Sequence, residues 1–145
     1  MRKMVVILST AMLLLIIIGC SNKKVIKYDY TYRGENEFWT AEYKINGTAT
    51  FTEKDNKTSY EDDGGKVLTV TYKGDISELS SVKHFEISYK GRKQVYDLDS
   101  DEIFDEKTFT LKSNGLGAVE DKDEIIKVNI NMDGQTQTIE LKNEQ

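Results

Sequence analysis

From Lys24 onward, apolar residues recur at every second position, a period that suits half-buried strands and not an amphipathic helix. Ile26, Tyr28, Tyr30 and Tyr32 share one strand face, while Lys27, Asp29, Thr31 and Arg33 take the other. The alternation returns at Trp39-Ala41-Tyr43, Leu68-Val70-Tyr72, Phe85-Ile87-Tyr89, Phe109-Leu111, Ile126-Val128-Ile130 and Ile139-Leu141. Strands spaced roughly 8–15 residues apart, with no long helical stretch between them, predict an all-β domain of about seven to nine antiparallel strands, a sandwich or a barrel. Composition permits it: there is no proline, and 8 Tyr and 5 Phe join Val, Ile and Leu to fill a core. Only residues 76–81 break the pattern, where one helical turn or a loop crossing between sheets is expected.

Turn chemistry sets some registers. Asp133-Gly134 suits a two-residue type I′ hairpin, which places Val128 opposite Ile139 and Ile126 opposite Leu141, apolar against apolar. Asn46-Gly47 carries the same signal, yet a two-residue turn there would set Phe51 against Glu42. A three-residue loop with a bulge at Gly47 pairs Tyr43 with Ala49 and Ala41 with Phe51 instead, and is the expectation. Tyr32-Arg33-Gly34, Tyr72-Lys73-Gly74 and Tyr89-Lys90-Gly91 each read as a strand ending on an inward Tyr, hydroxyl in water, before a turn at glycine.

The first 24 residues follow a different logic. Arg2 and Lys3 precede an apolar run over residues 4–18, broken only by Ser9 and Thr10 and short for a spanning helix, which needs about 20 residues. Ile17-Ile18-Gly19-Cys20 then resembles the bacterial lipobox: an aliphatic residue, a variable one, a small one and a cysteine. A thiolate attacks the glyceryl carbon of a phospholipid to form a thioether, and a small Gly19 admits the peptidase that cuts before it. The resemblance implies residues 1–19 as a lipoprotein signal peptide and Cys20 as S-diacylglyceryl cysteine, with N-acylation as an optional addition. Residues 20–24 are then a short tether and 25–145 the domain, lipid-anchored at the extracytoplasmic face of the cell membrane. Two acyl chains anchor stably where one does not.

Charge and residue inventory narrow the function. The chain has 20 basic and 25 acidic residues; removing Arg2 and Lys3 leaves 18 against 25, a net −7. That balance argues against nucleic acid, whose phosphates require clustered Lys and Arg. With one His and one Cys, the latter assigned to lipid, no Ser-His-Asp or Cys-His set is available, and no catalytic residue or cofactor is assigned. His84 points outward between core-facing neighbours on its strand, and a zinc set is missing. Asp97, Asp99 and Asp101 resemble the opening of a calcium loop, but the sixth position is Glu102 instead of Gly and the twelfth is Thr108 instead of Glu. A calcium-responsive loop over residues 97–106 is therefore one alternative. Trp39 is another: exposed, it would stack on a sugar ring, although its parity with Ala41 and Tyr43 favours the core.

Two stretches carry a resemblance of their own. Tyr32-Arg33-Gly34-Glu35-Asn36-Glu37-Phe38-Trp39 with Tyr43, and Glu124-Ile125-Ile126-Lys127-Val128-Asn129-Ile130 through Asp133-Gly134 to Ile139-Glu140-Leu141, resemble uncharacterised small lipoproteins of low-GC Gram-positive bacteria; Val70-Thr71-Tyr72-Lys73-Gly74-Asp75 fits between them. Met132 stands where that pattern has Trp. The resemblance implies an Ig-like β-sandwich and a membrane address. The expectation is a non-enzymatic envelope module contacting a protein or ligand.

Overall fold

The computed structural model describes residues 22–144, so the lipobox and Cys20 lie outside the described residues. Eight strands follow in order: β1 (Asn22–Glu35), β2 (Trp39–Lys54), β3 (Lys57–Tyr72), β4 (His84–Tyr89), β5 (Arg92–Asp97), β6 (Thr108–Asn114), β7 (Ile126–Met132) and β8 (Gln135–Asn143). All pair antiparallel in one sheet of order β5-β4-β7-β8-β1-β2-β3-β6, nearly barrel-shaped. The alternation predicted this: inward positions of β2 and β3 are buried while their neighbours are not. Residues 76–81 contain the expected turn, a 3-10 segment Ile76–Leu79 capped by Asp75, whose carboxylate accepts from the Ser77 N–H.

The sheet is not uniform. β1 and β8 pair only at Tyr32 with Asn143 and Arg33 with Lys142, a narrow joint between two broader halves. At the other margin β5 and β6 face each other without a ladder among the described residues, and side chains close the gap: the Tyr96 and Phe109 rings lie 5.4 Å apart. Trp39, Tyr72, Phe85 and Phe104 complete this aromatic end of the core, with Trp39 stacked on Phe85 at 5.5 Å. Asn36 aims Trp39 inward, because its Oδ1 accepts from the N–H groups of Phe38 and Trp39 at 2.9 and 2.8 Å.

Three tight turns have both central residues at positive φ, the type I′ signature: Asp55-Asn56, Lys90-Gly91 and Asp133-Gly134. The last gives the expected register, Val128 opposite Ile139 and Ile126 opposite Leu141. Asn46-Gly47 does not turn. β2 runs straight through it, pairing Tyr43 with Tyr32 on one side and Leu68 on the other, and the hairpin comes at Asp55-Asn56. Gly47 instead faces Gly64 across the ladder, where an added Cβ would lie 2.4 Å from the Asp63 carbonyl oxygen. The glycine serves a close approach between strands.

The start of the domain also moves. β1 begins at Asn22, with Lys23 paired to Thr52 and Lys24 to Phe51, so residues expected in a tether belong to the sheet. Of the repeated Tyr-x-Gly triplets, Tyr72 and Tyr89 do end strands, but β1 continues past Tyr32 to Glu35. The hydroxyls of Tyr32 and Tyr72 are bonded to protein, not left to water: Tyr32 donates to the Asp121 carbonyl at 2.9 Å and Tyr72 to Glu78 at 2.5 Å.

Candidate functional site

The most unusual chemistry is inside the barrel, at the end away from Trp39. Lys66 on β3 has the parity of Leu68, Val70 and Tyr72 and therefore points into the core. Its ammonium donates to Glu120 Oε2 at 2.8 Å and to the Ala118 carbonyl at 2.5 Å, with both charged side chains only 6 and 5 % exposed. The Tyr43 hydroxyl donates to the other Glu120 oxygen at 3.0 Å. Burial first, then the Glu120 charge, pushes the Tyr43 hydroxyl far above its ordinary range. The same causes raise Tyr32 to about 12. Each charge has a partner and each Glu120 oxygen an N–H or O–H donor, which is the condition for keeping such a pair out of water.

Glu120 is delivered by the irregular segment between β6 and β7, which straps the barrel's open end. Leu116, 1 % exposed, plugs it. The Leu116 N–H donates to Asp62 Oδ1 at 2.8 Å, and the Gly115 N–H to the Gly64 carbonyl at 2.9 Å. The Leu116 N–H is also the main reason the Asp62 carboxyl sits below its usual range. This network is a closure: its ammonium is shared between Glu120 and the Ala118 carbonyl, and its carboxylate between Lys66 and the Tyr43 hydroxyl.

The opposite end holds the acidic residues that sequence singled out. Asp97 meets His84 Nδ1 at 2.6 Å. Glu102 folds back to accept from the Asp99 N–H at 3.0 Å, and no carboxylate contact joins Asp97, Asp99 and Asp101. The carbonyls of Asp99, Ser100 and Glu102 do converge, but on the Lys83 ammonium, at 2.9, 3.3 and 2.8 Å. A lysine fills the place a cation would take, and among the described residues no group of three His, Cys, Asp or Glu side chains is arranged to hold a metal. Trp39 is 0 % exposed, so the sugar-stacking role that needed an open ring has no surface. His84 lies between inward Phe85 and its β5 partner Asp97, outside the core as parity predicted.

Several surface grooves remain. One of about 490 Å³ lies over β1–β3, lined by Arg33, Thr40, Glu42, Thr69 and Thr71; there Glu42 bridges Lys44 and Arg33 and is held below the usual carboxylate range, the Lys44 bond contributing most. Another of about 420 Å³ follows the β5–β6 margin, with Tyr96, Leu98, Phe104 and a 63 % exposed Ile103. The second is lined by more aromatic and aliphatic side chains, beside Asp105 and Glu106, and the exposed Ile103 is of the kind that marks partner sites. Compared with models of known families, with curated proteins and with solved structures, the chain matches none.

Proposed function

We propose that this chain is a lipoprotein of the extracytoplasmic membrane face, anchored through Cys20, whose β-domain makes protein or ligand contacts in the cell envelope without catalysis. The observation that carries the reading is Ile17-Ile18-Gly19-Cys20 at the end of an apolar run, two residues before β1 begins at Asn22. A diacylglyceryl group on Cys20 would anchor the domain with only Ser21 between the lipidated residue and β1. The apolar groove beside Ile103 is the favoured contact surface, because the buried Lys66–Glu120 pair is occupied with closing the barrel. The narrow β1–β8 joint supports a two-layered, sandwich-like description of the sheet, in the sense that its halves face each other across the core.

Fractionation of producing cells tests the anchor. The native chain is expected in the membrane fraction, and Cys20→Ala is expected to accumulate as an untrimmed precursor. A Cys20→Ala chain that is trimmed normally and released refutes the reading.

A further inference from the structure

Beyond the level of Gly47 and Gly64, β1, β2 and β3 continue as a three-stranded ribbon ending at the Asp55-Asn56 turn. Seven residues of β2, at about 3.3 Å each, carry it on the order of 20 Å beyond Gly47; its first part backs the Leu116 strap, through Asp62 and the Tyr60 hydroxyl on the Gly117 carbonyl, and the end past Phe51 projects. Nearly every ribbon residue is exposed or half-buried, Ala49 excepted. β1 starts at the ribbon's far end, with Asn22 opposite Glu53, so residues 1–21 join the domain beside the hairpin tip.

The far end of the ribbon is opposite in charge to the molecule. Over the whole ribbon Lys23, Lys24, Lys27, Lys54 and Lys57 balance Glu53, Asp55, Glu61, Asp62 and Asp63, but its last levels, residues 22–24 and 51–60, hold Lys23, Lys24, Lys54 and Lys57 against Glu53 and Asp55, a net +2, whereas 22–144 as a whole hold 18 basic and 25 acidic residues, a net −7. Nor are these lysines engaged. None of the five makes an ion pair or side-chain hydrogen bond among the described residues, while Lys44, Lys66, Lys73, Lys90, Lys93 and Lys127 are each paired with a carboxylate. Val25, between Lys23 and Lys27 on the same face, is 51 % exposed. Unpaired ammonium groups around an exposed apolar residue, at the point where the apolar N-terminal run joins, fit a layer of phosphate headgroups over hydrocarbon.

We infer that the ribbon end, through Lys23, Lys24, Lys54 and Lys57, docks on anionic phospholipid headgroups and stands the barrel upright. This rests on the membrane tether proposed above, and holds whether the tether is lipid or peptide. The acidic loops at the other end, around Asp99 and Glu102, are repelled by the same surface. Those loops and the Ile103 groove are thereby turned outward.

Lysine acetylation footprinting of the full anchored chain, reconstituted in phosphatidylglycerol or phosphatidylcholine vesicles and read by mass spectrometry, tests it. Roughly fivefold slower modification of Lys23, Lys24, Lys54 and Lys57 is expected on the anionic vesicles. The protection should vanish at about 1 M salt, where screening falls to about 3 Å. Lys112 and Lys142, which make no ion pair in the barrel, should react equally in both. Equal rates at the four ribbon lysines in both vesicles overturn the docking while leaving the tether intact. Failure of the chain to float with either vesicle removes the tether and the docking together.

Discussion

Lys66→Met leaves the Glu120 carboxylate buried without its cation and the Ala118 carbonyl without its donor. Stranding one member of a buried pair costs about 3–5 kcal/mol, a large share of the roughly 5–15 kcal/mol that holds a domain of this size together. Removing both charges is a different experiment. In Lys66→Met/Glu120→Leu no ion is stranded, but the Tyr43 hydroxyl loses its acceptor, which costs about 1–3 kcal/mol. Adding Tyr43→Phe removes that penalty and leaves only the Ala118 carbonyl without its donor, so stability should return to within about 1–3 kcal/mol of the native chain. Trp39, the sole tryptophan and fully buried, reports unfolding by fluorescence in a urea titration of the soluble domain. The cycle should give a coupling of at least about 2 kcal/mol between positions 66 and 120. If Lys66→Met costs less than about 1 kcal/mol, or the single effects simply add, the pair is not the buried closure described above.

Gly47→Ala places a methyl 2.4 Å from the Asp63 carbonyl oxygen and must part β2 from β3; a loss of about 1–3 kcal/mol in urea unfolding is expected, and a change near zero contradicts the close approach. The raised hydroxyls of Tyr32, Tyr43 and Tyr89 contribute stability that is complete below the free tyrosine range near 10 and is lost as pH climbs from 10 toward 12, since only the unfolded chain ionises readily there. Melting temperature should therefore drop across that window, and a flat profile refutes the burial assignment. Calcium at millimolar concentration should leave the melting temperature unchanged, because Lys83 already holds the Asp99, Ser100 and Glu102 carbonyls; a clear rise would mean the ammonium is displaced by the ion.

Strand identity was legible because period two is enforced by burial of one face, and Trp39, Tyr43, Leu68, Phe85 and Ile130 all sit where parity put them. The Asp133-Gly134 register was legible for the same reason, since apolar faces matched across it. Asn46-Gly47 misled because a glycine needed for close strand packing looks identical to one needed for a turn. The true turn, Asp55-Asn56, lacks glycine altogether and relies on the tolerance of Asp and Asn for positive φ. Lys66 was readable in principle: it shares the inward parity of Leu68 and Val70, and a lysine at such a position demands a buried partner. Glu120 was not, because the segment that carries it has no period and is placed only by the tertiary bonds of Leu116, Ala118 and Asp121. The ribbon's role was hidden as well, since only pairing of Asn22 with Glu53 brings Lys23 and Lys24 beside Lys54 and Lys57.

Intact mass spectrometry of the chain purified from membranes of its producing cell bears most directly on the anchor. The expected species is a chain beginning at Cys20, heavier than the polypeptide by a diacylglyceryl group, with the added mass on the N-terminal peptide. A chain that keeps residues 1–19, or one that begins elsewhere with a free thiol at Cys20, contradicts it.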